Sequence, residues 1–139
     1  MHRHNSHVHR ARLVILAVLA AFIVAVLPAA AAGNDWGTWT FSGHGTSWSG
    51  TFVDAHNVTG VVMGLKSLPR YNGLTYFKIG RHTCKLASNH GDAYCYNINI
   101  PANKKLSWSA TTRRNVASSE GLVPCIQYNR KFHCRYGNG

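Results

Sequence analysis

The 139-residue chain carries 15 Lys and Arg against 4 Asp and Glu, a formal net charge of +11 with histidines neutral. Its four acids, Asp35, Asp54, Asp92 and Glu120, are scattered singly, which argues against paired-carboxylate hydrolysis, where two acids must stand about 5–9 Å apart. The cation excess directs attention to anionic partners instead.

The chain opens on MHRHNSHVHRAR, with Arg3, Arg10, Arg12, four histidines and no acid. A run of 15 apolar residues, Leu13 to Leu27, follows, then Pro28 and a stretch of alanines. A basic start, an apolar run of that length and a small-residue exit predict a secretory signal peptide over residues 1–32, cleaved after Ala32. The apolar run is shorter than the roughly 20 residues a bilayer span needs. The histidines at positions 2, 4, 7 and 9 belong to this polar leader. Residues 33–139 are then expected to form a single secreted domain with no membrane span after cleavage.

Along that domain, Trp39 and Phe41 alternate with threonines, and Trp48, Gly50 and Phe52 alternate with Ser and Thr. This is the period of half-buried strands, and Ser42–Gly45 reads as a turn between them. The tryptophans are expected in the core. The β-branched run from Val58 to Leu65 predicts a core strand, and SLPRYNG after it a loop. LTYFKI at Leu74–Ile79 resumes as a strand, with Gly80 as a bulge. Tyr94, Tyr96, Ile98 and Ile100 alternate with Cys95, Asn97 and Asn99, the clearest strand pattern in the chain. After Pro101–Lys105 comes another strand at Leu106–Ala110, and TTRRNVASSEG at 111–121 reads as a polar loop or single helical turn. The fold expected is all-β, a small disulfide-stapled β-sandwich or barrel of about seven or eight short strands.

Cys84, Cys95, Cys125 and Cys134 make an even count in a small exported domain, which predicts two disulfides. The spacing lacks the close pairs of a structural zinc site, so no metal or other cofactor is expected. Centring a hairpin on Asn129-Arg130 sets Tyr128 opposite Lys131 and Cys125 opposite Cys134 at a non-hydrogen-bonded pair, where Cα atoms lie ~4.5 Å apart. A four-residue loop Ser88–Gly91 does the same upstream: Ala87 faces Asp92, and Cys84 faces Cys95. The pairing expected is 84–95 and 125–134.

Three dibasic pairs, Lys104-Lys105, Arg113-Arg114 and Arg130-Lys131, fall in expected turns or loops, with Arg135 close to the third and Tyr128, Phe132 and Tyr136 interleaved with it. Cations beside aromatics suit nucleic acid, acidic glycan or an anionic membrane surface. The function expected is a monomeric, secreted, cationic binding protein with Arg130, Lys131, Arg135, Tyr128, Lys104, Lys105, Arg113 and Arg114 as its anion-binding residues. The alternative is a small secreted hydrolase, a ribonuclease, using His133 and Glu120 for proton transfer with Arg113 and Arg114 on the phosphate. Asn57-Val58-Thr59 also matches the N-glycosylation sequon.

Overall fold

The computed structural model describes residues 34–66 and 73–137; the expected leader and its cleavage site, and most of the SLPRYNG loop, lie outside these residues. The described part holds ten strands: β1 (Thr38–Trp39), β2 (Ser42–Val53), β3 (Val58–Leu65), β4 (Leu74–Ile79), β5 (His82–Thr83), β6 (Lys85–Leu86), β7 (Asp92–Ile100), β8 (Leu106–Val116), β9 (Leu122–Tyr128) and β10 (Lys131–Cys134). They form two five-stranded antiparallel sheets, in the order β1-β2-β8-β4-β5 and β10-β9-β3-β7-β6. The strand count exceeds the sequence expectation because β5, β6 and β1 are two-residue edge pieces, too short to leave a periodic signal. Among the described residues no helix is long and apolar enough to cross a membrane.

The inner faces of both sheets feed one hydrophobic cluster. β8 supplies Trp108 and Ala110, β2 supplies Trp48 and Phe52, β4 supplies Phe77 and Ile79, and β3 supplies Val58, Val61 and Met63. Phe52 and Phe77 are wholly removed from water, each worth on the order of 2–3 kcal/mol of transfer free energy. Trp39, Trp48 and Trp108 are core, as expected, and Trp36 packs against it from its edge. The Trp108 indole N–H reaches over β2 to the Thr40 carbonyl at 3.1 Å. Gly50 permits that approach, since a side chain there would collide with the same carbonyl.

Both disulfides are as expected, with Cα–Cα distances of 4.8 Å for Cys84–Cys95 and 4.1 Å for Cys125–Cys134. The registers agree too: Lys131 pairs with Tyr128, Phe132 with Gln127 and Cys134 with Cys125. Upstream, Lys85 pairs with Tyr94, and Ala87 donates to the Asp92 carbonyl. The two staples differ in what they join. Cys125–Cys134 closes a hairpin within one sheet, whereas Cys84 lies between β5 of one sheet and β6 of the other.

Gly80 is no bulge but forms, with Arg81, the two-residue turn between β4 and β5, where Ile79 pairs with His82; three further expectations are corrected. Ser42–Gly45 is no simple turn; it is the start of β2, irregular where the pairing with β8 shifts between Gly45 and Ser47. Thr111–Val116 continues β8 instead of forming a loop, because β2 and β4 flank this strand and Leu74 pairs with Thr112. The third correction concerns β7. Its pairing with β3 shifts between Val58–Ile100 and Gly60–Tyr96, where Asn97 takes a left-handed φ of 55°. That irregularity switches faces within the strand. Ile100, Cys95 and Ala93 are buried, whereas Tyr96 is 53% exposed.

Candidate anion-binding end

Three connections meet at one end of the domain: Asp54–Asn57 between β2 and β3, Pro101–Lys105 between β7 and β8, and the β9–β10 turn. The first two are tied by hydrogen bonds from backbone amides. The Asn103 amide donates to the Asp54 carbonyl at 2.6 Å, and the Ala102 amide donates to Asn57 Oδ1 at 2.9 Å. In the third, Asn129 and Arg130 both have positive φ, 52° and 62°, as a tight type I′ hairpin turn requires. Asn tolerates this conformation; for Arg130 it costs on the order of 1 kcal/mol. Lys104, Lys105, Arg130 and Lys131 are all exposed here.

Beneath the turn lies a stack of three rings. Tyr128 lies nearly parallel to the His56 imidazole at 3.8 Å between centroids and to the His133 imidazole at 3.9 Å. Each histidine has a carboxylate neighbour. His56 Nδ1 is 2.9 Å from Asp54 Oδ2, and His133 Nδ1 is 3.9 Å from Asp35 Oδ2. Burial first, then the charges of Asp54 and Asp35, push the Tyr128 hydroxyl above the usual phenol range. With both faces covered, Tyr128 offers no ring to a ligand; it is a packed layer under the cations, not a contact residue as expected. His133 Nε2 is buried with no hydrogen-bond partner among the described residues.

Beside this end, a shallow cleft of about 520 Å3 is lined by Arg81, His82, Lys85, Tyr94, Tyr96 and neighbouring residues. Arg81 and His82 also border a smaller hollow that includes Lys104, which joins the cleft to the loop cations. Tyr94 and Tyr96 stack at 4.8 Å, and Tyr96 meets Phe132, next to Lys131, at 5.9 Å. Neither concavity has an Asp or Glu among its described lining residues. Period-two counting puts Tyr94 and Tyr96 on one continuous face with Ile98 and Ile100, so it does not single out Arg81, Lys85, Tyr94 and Tyr96.

The remaining expected residues lie toward the opposite end. Leu122 and Tyr128 bound β9, roughly 20 Å apart at ~3.4 Å per residue, and Glu120 lies before Leu122 while His133 pairs with Ile126. Arg113 and Arg114 are exposed on the far half of β8. The residues of the ribonuclease reading therefore do not converge. Arg135 is not free to bind either: its Nη1 donates to the carbonyls of Ser119 at 2.8 Å and Leu122 at 3.2 Å. Its guanidinium also lies over Trp36, Phe41 and Tyr136 at 5.0–5.6 Å from the ring centroids. No family model, curated protein or solved structure matches this chain.

Proposed function

We propose that the protein is a secreted, monomeric binding protein that recognises an anionic macromolecule through the end carrying Lys104, Lys105, Arg130 and Lys131. The observation that carries this reading is the meeting of two dibasic segments, some 25 positions apart in the chain, on one end together with Arg81. Of the two carboxylates near that end, the Asp54 side chain is 7% exposed and turned to His56, whereas Asp35 is 62% exposed beside His133, so the exposed cations face a single outward carboxylate. Arg130 adds a second support: a cation occupies a turn position where glycine is favoured, a local strain with no packing reason.

Binding of this kind releases condensed counterions, so log affinity falls linearly with log salt. With duplex DNA as the probe and about four phosphates neutralised, a slope near −3.6 is expected, at ~0.9 per contact. Replacing Arg130 and Lys131 together by Ser is expected to flatten the slope by about two contacts and leave the fold intact, with a smaller change for the Lys104/Lys105 pair. Affinity that ignores salt, or a slope equal to wild type in the double variant, refutes this reading.

A further inference from the structure

From the cleft beside the Cys84–Cys95 bridge we infer that the anionic partner is single-stranded nucleic acid, bound with its bases on Tyr94 and Tyr96 and its phosphates on Arg81, Lys85 and Lys104. This rests on the reading of the cationic end above and names its partner. Four observations carry it.

First, Tyr96 is exposed and Tyr94 half-buried, whereas their neighbours Ala93 and Cys95 are buried, because the irregularity at Asn97 lets the outer end of β7 send Ile100 into the core instead. The strand stacks the half-buried Tyr94 ring against Tyr96, which is more than half exposed. A solvent-facing aromatic pair on a sheet surface is what unpaired bases use, since every base has a π-face. Second, cations line the same concavities as those rings: Arg81 and Lys85 line the cleft, Lys85 directly opposite Tyr94 across the strands, and the hollow sharing Arg81 extends to Lys104. Interleaved rings and cations match a polymer that alternates bases with phosphates, whereas a densely sulfated glycan calls for a continuous row of cations. Third, the lining described contains no carboxylate to repel a phosphate. Fourth, the cleft is a shallow concavity held rigid by the Cys84–Cys95 bridge, with Cys95 in its lining. Rings on that floor reach unpaired bases but not bases stacked inside a duplex.

The test is fluorescence anisotropy of a labelled short oligo-dT with the purified, oxidised protein, run beside labelled heparin at matched low salt. Tyr96→Ala is expected to weaken oligo-dT binding about tenfold, the scale of one lost base–aromatic stack, and to leave heparin binding unchanged. Tyr96→Phe is expected to bind oligo-dT as wild type does. Arg81→Ser and Lys85→Ser should each reduce the salt slope by about 0.7, one single-strand phosphate contact. Oligo-dT affinity unaffected by Tyr96→Ala, or heparin held tightly while oligo-dT fails to compete, overturns the single-strand inference and leaves the cationic-end reading standing. Loss of salt-dependent affinity for both probes in the wild type overturns the two together.

Discussion

At the two ends of this domain, arginines meet aromatic rings under opposite circumstances. Toward the Glu120 end, Arg135 is folded inward: two carbonyls accept its hydrogen bonds, and three rings lie under its guanidinium. Lys66 likewise lies 4.2 Å from the centre of the Tyr136 ring. At the end with the hairpin turn, Arg130 is exposed on a strained turn position, and the nearby Tyr128 ring is already covered on both faces by imidazoles. A cation beside an aromatic in sequence is thus a clamp in one place and a tip in the other. What separates them is whether backbone carbonyls converge within reach of the guanidinium. Around the 3-10 turn at Ser119–Gly121 they do: Ser119 O accepts the Leu122 N–H and takes Arg135 as a second donor, and Leu122 O accepts from the same nitrogen.

This contrast is broken or sharpened most strongly by removing the clamp. Arg135→Ala is expected to cost about 2 kcal/mol, from charge-assisted bonds to two carbonyls and the stacked guanidinium, measured by urea unfolding. Its effect on the salt slope of polyanion binding should be negligible once folded protein is compared. A large change in slope with unchanged stability would place Arg135 in the binding surface after all. A smaller effect is expected from Arg130→Gly. Glycine relieves the left-handed strain but adds unfolded-state entropy, so stability should stay within about 1 kcal/mol of wild type. Binding should still lose about one phosphate contact. A marked loss of stability would mean that Arg130 supports the hairpin.

Much of the architecture was legible in advance, and the stapled hairpins most of all. An even gap between cysteines around an Asn-containing turn admits one local register in which the sulfurs face each other, and both pairs follow it. The core tryptophans were legible from their alternation with Ser and Thr. The face of Tyr94 and Tyr96 was not. Period-two counting assumes an unbroken pleat, and the departure at Asn97 reverses the faces beyond it. The signal available was the residue type: asparagine tolerates the left-handed conformation, and Asn97 stands between two apolar positions of the same strand. The polarity of its segment predicts a loop for Arg113-Arg114, yet β2 and β4 flank β8 there and supply backbone partners that polarity alone does not reveal. Arg135 was legible as a cation near rings, but its carbonyl partners come from Ser119 and Leu122, more than a dozen residues away in sequence.

The most direct measurement of the central claim is lysine reactivity mapped by acetylation and mass spectrometry, with and without oligo-dT, on the wild-type protein. Lys104, Lys105 and Lys131 at the cationic end, and Lys85 in the cleft, are expected to be protected by the polyanion, while Lys66 at the opposite end keeps its free-protein reactivity. Protection of Lys66 with Lys104, Lys105 and Lys131 unchanged would contradict the assignment of that end as the binding surface.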